Sequence, residues 1–241
     1  MPRSPDSPAA LLAAMVAIPS VNPGGDPGGS TPGEAAYGAW LADHLRGLGA
    51  DVAVRPLAPG RPNVIGVFEP GRRAEATVVF APHLDTVGVA GMTVPPFRLT
   101  RRAGRLHGRG ACDTKGPTAA LLWALRRWTR LPVGRRPAVR WIVAATAGEE
   151  EGSAGAAALV RSGFRADFGV ALEPTSLRVV HAAKGILRLW LETPGRACHG
   201  AQPWRGDNAV YRALPLATAL RDELAPAFLA RRHPVLGPAS L

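Results

Sequence analysis

"AVRWIVAATAGEEE", residues 138–151, is an apolar run rich in Val and Ala that ends abruptly in three adjacent glutamates. The run predicts a buried strand. Three neighbouring carboxylates at its end repel one another and cost free energy unless solvent or a cation compensates them. Two readings stand at this point: a solvated acidic turn, or a cluster that faces a metal.

The same design occurs twice more, in "ATVVFAPHLDTV" (76–87) and "DFGVALEPTS" (167–176), each an apolar run closed by a polar cluster. Between the first two runs, "GPTAALLWALRRW" (116–128) reads as a helix with Pro117 near its start. Strands that alternate with helices predict an α/β fold, with a mixed, mostly parallel sheet flanked by helices. In such sheets ligands bind beyond the carboxyl ends of the strands, which is where each polar cluster sits.

Toward the N-terminus, "SPAALLAAMVAIPSV" (7–21) predicts a short helix closed by Pro19, followed by a Gly/Pro-rich loop, "NPGGDPGGSTPG" (22–33), of a length that often borders a site. Thr31 and Glu34 form a capping-box pattern with Pro32 at the first helical position. They open the helix "GEAAYGAWLADHLRGLG", which ends at Gly49. "ADVAVRPL" (50–57) and "RPNVIGVFE" (61–69) read as strands. After Pro174 the texture changes. "LRVVHAAKGILRLWLETPG" (177–195) alternates like an antiparallel strand pair with one exposed face, and residues 206–232 read as a helix. The expected organisation is a metal-binding domain over 1–181 and the start of a smaller α+β domain over 182–241. A strand pair and one helix bury little core, so the second domain is expected to be incomplete.

Composition narrows the class. With 241 residues and 46% hydrophobic content the chain has ample material for a core. Its apolar N-terminal run is too short to span a membrane and follows Asp6 rather than a basic cluster, which favours an amphipathic helix over a signal peptide. Two cysteines, Cys112 and Cys198, make neither a disulfide framework nor a zinc finger, and a reducing cytoplasm is the default. The net charge of +11 is nearly all arginine, in pairs such as Arg72-Arg73 and Arg126-Arg127 spread along the chain. Nucleic-acid binders cluster such charge and interleave aromatics, so the pattern speaks against a nucleic-acid partner and for attraction of anionic substrates.

Each polar cluster has a bland reading beside the chemical one. His83 and Asp85, two apart on an extended chain, share a face, so the aspartate can hold the imidazole from its second nitrogen; alone, such a histidine is more often a surface residue. Asp113 in "GRGACDTKGP" is either a helix cap or a bridging carboxylate. Glu149 and Glu150 point opposite ways if extended, so one can bind a metal while the other serves as a general base, with Glu151 the solvated member. Glu173, just before Pro174, lies either at the site or on its rim. A histidine with several carboxylates and no cysteine suits a two-metal hydrolase better than a structural zinc. The glycine-rich stretch lacks the ending of a phosphate loop, and there is no Gly-x-Ser-x-Gly elbow.

Taken in order, "HLDTV", "GRGACDTKGP", "TAGEEEGSAG", "ALEPT" and "ACHGAQPWRGDNAV" resemble the aminoacylase / acetylornithine deacetylase / succinyl-diaminopimelate desuccinylase / glutamate carboxypeptidase family of zinc metallopeptidases. The resemblance implies two zinc ions per site, replaceable by cobalt or manganese, and cleavage of an amide bond in an N-acyl amino acid or small peptide. It implies His83 and Glu173 as ligands of one zinc, Glu150 as a ligand of the other, and Asp113 as the bridge, with a cis peptide between Asp113 and Thr114. Asp85 becomes the orienting partner of His83, and Glu149 the general base. His199, from a lid domain and in dimeric members from the opposite subunit, stabilises the oxyanion, and Asn208 contacts substrate. The chain departs from the pattern at Gly148, where the family often has Asp, and at Ala183, where many members have His. Members continue beyond "HPVLGPASL" to a final histidine ligand, so the resemblance implies a fragment, and a non-catalytic chain that needs a C-terminal partner is the alternative. His107, His181 and His233 match no ligand motif.

Overall fold

The computed structural model describes residues 7–26, 29 and 33–241. Thr31 and Pro32, on which the expected capping box rests, lie outside them. The chain divides into two compact units, Met1–Ser176 and Leu177–Leu241.

The first unit holds helices α1 (Pro8–Val16), α2 (Glu34–Gly47), α3 (Lys115–Thr129) and α4 (Ala154–Arg161). Its strands are β1 (Asp51–Ala58), β2 (Arg61–Phe68), β3 (Ala76–Ala81), β4 (Thr100–Arg102), β5 (Arg105–His107), β6 (Val139–Ala145) and β7 (Phe168–Ala171). Ser7 caps α1 by accepting from the Ala10 N–H at 3.1 Å, with Pro8 in the first turn where a missing N–H costs nothing. Helix α2 starts at Glu34 behind Gly33. The Glu34 carboxylate accepts from Arg61 Nε at 2.6 Å.

Five strands form one sheet in the order β1-β2-β6-β3-β7. β2 pairs antiparallel with both β1 and β6, while β3 pairs parallel with both β6 and β7. The sheet is therefore mixed, with β2 alone running against the other four. Period-two alternation sorts its side chains onto two faces. Val64, Phe68 and Val143 join Leu11, Met15, Tyr37, Leu41 and Leu122 of the helices in the main core, whereas Ile65, Ile142 and Ala144 meet Leu159 of α4 on the other face. The hairpin β4–β5, turned by Ala103 and Gly104 at positive φ, stands outside this sheet and carries no apolar signal in the sequence.

In the second unit the expectation of an antiparallel pair over 177–195 is not met, since no strand forms there. Alternation marks a face to be buried, and a strand pair needs a surface against which to bury it. Among the described residues none is supplied: Trp190 is 92% exposed and Val179 91%. The expected helix does form, as α5 (Ala209–Ala219), a π-turn over Leu220–Leu224 and α6 (Ala225–Ala230), followed by the two-residue strands β8 (Arg232–His233) and β9 (Gly237–Pro238). Pro226, which has no N–H to give the helical ladder, stands just beyond the π-turn.

Candidate metal centre

Three neighbouring parallel strands deliver the polar clusters to one place. Beyond the end of β3, His83 bridges to Thr146 beyond the end of β6, the Leu84 N–H donating to Thr146 O and the Thr146 N–H to Pro82 O. On the other side of β3, Leu172 donates to Ala81, which brings Glu173 alongside. Asp113 arrives on the turn that opens α3, where Thr114 Oγ1 donates to the His83 carbonyl at 3.3 Å. The Asp113–Thr114 peptide bond is cis, as the resemblance implies.

His83 is buried, and its Nδ1 lies 2.9 Å from the Asp85 main-chain carbonyl. A carbonyl only accepts, so Nδ1 carries the proton and Nε2 faces the cluster. Nε2 is 2.8 Å from Asp113 Oδ1 and 4.0 Å from Glu173 Oε1. Burial alone would lower the pKa of His83, but hydrogen bonds to Asp85 and Asp113 and their charges push it up to about 10. Glu173 is pushed up by burial and by Asp113, Glu149 and Glu150; Glu150 is pushed up by burial and by Asp113. Negative charge is thus in excess here, and the position is one that favours a cation.

One donor atom each from His83, Asp113 and Glu173 lies within 4.8 Å of the others. An imidazole nitrogen whose other nitrogen is anchored, together with two carboxylates, is a donor set that a borderline or hard divalent cation takes. The residues present fit such a metal. Glu150 lies outside this group.

The geometry departs from the sequence reading at two points. Asp85 holds the imidazole mainly through its carbonyl, its Oδ1 standing 3.5 Å from Nδ1. Its carboxylate instead accepts from the Glu149 N–H at 2.9 Å and the Glu150 N–H at 3.1 Å, and these contacts, with His83, keep the buried acid ionised against the effect of burial. Glu149 and Glu150 are not extended but sit in a turn closed by Ser153 N–H to Gly148 O at 2.7 Å. Glu151 is the exposed member of the three, Glu149 and Glu150 being half-buried, and it also pairs with Arg61 at 3.2 Å and accepts from the Gly24 N–H of the Gly/Pro-rich loop.

The remaining sequence-derived candidates belong to the second unit. His199 is exposed, its Nδ1 accepting from the Ala201 N–H at 3.2 Å, and Asn208 caps α5 by accepting from the Val210 N–H at 2.9 Å. Sequence reasoning passed over Asn22, Glu34, Arg61 and Asn63. Asn22 reaches Asp85 at 3.5 Å, and Asn63 receives the Ala147 N–H at 3.0 Å and donates to Gly155 O at 2.9 Å. These partners lie far apart in sequence, and no spacing rule announces them.

A histidine and a carboxylate beyond the ends of adjacent parallel strands, joined by a second carboxylate from the turn before α3, define an α/β domain built around a metal site. A sequence profile described as Peptidase family M20/M25/M40 matches residues 79–229, and the chain belongs to this family. It is 34% identical over 228 residues to the succinyl-diaminopimelate desuccinylase of Gluconacetobacter diazotrophicus, covering 89% of this chain and 56% of that protein. It is 38% identical over 149 residues to a probable succinyl-diaminopimelate desuccinylase of Staphylococcus aureus, covering 58% and 36%. The chain thus spans about half the length, or less, of these curated relatives. Among solved structures, human carnosine dipeptidase 1 aligns with TM-score 0.57 and 26% identity over 78% of this chain and 39% of that one. A tripeptidase from Staphylococcus aureus aligns with TM-score 0.59 and 20% identity over 91% and 58%, a likeness of fold. No described helix is long and apolar enough to cross a membrane.

Proposed function

We propose that this chain is the metal-binding part of a cytoplasmic hydrolase that cleaves an amide bond in an N-acyl amino acid or small peptide. The observation that carries this is the convergence of His83, Asp113 and Glu173 donors within 4.8 Å. These three would hold one zinc ion, and Asp113 with Glu150 would contribute to a second. A divalent cation so held supplies Lewis acidity, which acidifies water and polarises the scissile carbonyl. Glu149 takes the proton of the attacking water and returns it to the leaving amine. Asp85 fixes His83 in the tautomer that leaves Nε2 for the metal, and it fixes the Glu149–Glu150 turn through its carboxylate. His199 donates to the tetrahedral oxyanion, from the same chain or across a dimer formed by the second unit, and Asn208 contacts substrate.

Glu149→Ala is expected to lower turnover by about 10²–10⁴-fold with metal content unchanged. Undiminished turnover removes Glu149 as the base. Asp113→Ala is expected to release metal, measured by elemental analysis after dialysis, and full retention refutes its role as the bridge.

A second reading has its own support. Strand β7 forms an edge of the sheet with Phe168 65% and Val170 45% exposed, and the His83–Asp113–Glu173 group is the one metal-competent cluster among the described residues. On this reading the chain binds one metal and turns over substrate only with a second polypeptide. Close to two metals per chain and unaided turnover favour the first reading; one metal and no turnover favour the second.

A further inference from the structure

We propose that Arg61 is a positioning residue for the turn that carries Glu149 and Glu150, acting through Glu34 and Glu151; this rests on the metal-site reading above. Arg61 is the first residue of β2, far in sequence from the turn. Its Nε donates to Glu34 Oε2 at 2.6 Å, and Glu34 Oε1 accepts from the Gly148 N–H at 2.7 Å. Its Nη1 lies 3.2 Å from Glu151 Oε2, while Glu151 Oε1 accepts from the Gly24 N–H. Its Nη2 is buried without a hydrogen-bond partner among the described residues and lies over Gly148, where an added Cβ would come within 2.5 Å of it. Gly148 also has φ +69, so a side chain there would be strained and would have to displace the guanidinium.

The turn is consequently held at every residue. Glu34 takes the N–H of Gly148, Asp85 takes those of Glu149 and Glu150, and Arg61 with Gly24 takes the carboxylate of Glu151. Of the three carboxylates of the turn, those of Glu149 and Glu150 have no hydrogen bond or ion pair among the described residues. In a run of three adjacent glutamates each can compete for a cation, and a fixed guanidinium on the third resolves the competition. Glu34 is 1% exposed, so it gives Arg61 a rigid anchor.

Arg61→Met alone strands the buried Glu34 carboxylate, so the test uses Arg61→Met/Glu34→Gln, whose new amide still accepts from the Gly148 N–H. Glu151→Gln, which breaks only the outer link, is the milder arm. Hydrogen exchange is followed by mass spectrometry in peptides covering 146–153 and 139–145, and cobalt(II) binding by visible absorption. The double variant is expected to exchange at least about tenfold faster in 146–153 with 139–145 unchanged, Glu151→Gln to fall between, and the cobalt band shape to change as Glu151 is released. Unchanged exchange in 146–153, or an equal rise in both peptides, overturns the proposal, because the second is a global loss of stability. Absence of cobalt binding in the parent chain overturns the metal-site reading and takes this proposal with it; normal cobalt binding with unchanged exchange overturns this proposal alone.

Discussion

The two units of this chain put their apolar residues to different ends. In the first, Leu11, Met15, Leu41, Val64, Leu122 and Val143 are all at most 1% exposed, and the strands and helices that bear them are regular. In the second no described residue is buried, and Ile186, Leu187 and Trp190 stand 80%, 82% and 92% exposed. The helix of the second unit forms all the same, because a helix satisfies its backbone locally, whereas its alternating segment stays irregular, because a strand needs a neighbour. Local pattern suffices for the one and not for the other.

The widest gap is expected in proteolysis. Trypsin should cut after Arg178 and Arg188 at least about 100-fold faster than within β6, leaving a fragment of the first unit; comparable rates would mean that 177–195 is packed in solution. Core substitution comes next. Leu122→Ala is expected to cost about 2–5 kcal/mol by denaturant unfolding, and Trp190→Ala under about 0.5 kcal/mol. A large cost at Trp190 breaks the contrast. The smallest effect is one of pH within the first unit. Burial, helped by the Arg126 charge, lowers the pKa of half-buried His44, which stacks on Trp40. Folded His44 therefore binds its proton less readily than the unfolded chain, so its contribution is full above 6.5 and is lost as pH falls below that value toward the lowered folded pKa. His44→Gln should flatten the slope of melting temperature against pH below 6.5, and an unaltered slope would remove His44 as its source.

The first unit was largely legible because its signals are local. Val and Ile runs closed by polar residues gave β3, β6 and β7, and parallel order brought His83, the glutamates and Glu173 to one edge. What held those glutamates was not legible. Arg61 and Glu34 meet the turn across 87 and 114 positions of sequence, Arg61 to Gly148 and Glu34 to Gly148. The hairpin β4–β5 escaped notice for want of apolar alternation, and the turn at Glu149–Glu150 because adjacency alone does not tell an extended pair from a bent one.

Asp85 grips that turn by two main-chain N–H groups, and a grip on the main chain is indifferent to which side chains stand at 149 and 150. Architecture and reactivity are thereby uncoupled at this point of the chain. Other donor residues can be installed at either position while the loop keeps its course, so that new chemistries are reachable from this scaffold one substitution at a time.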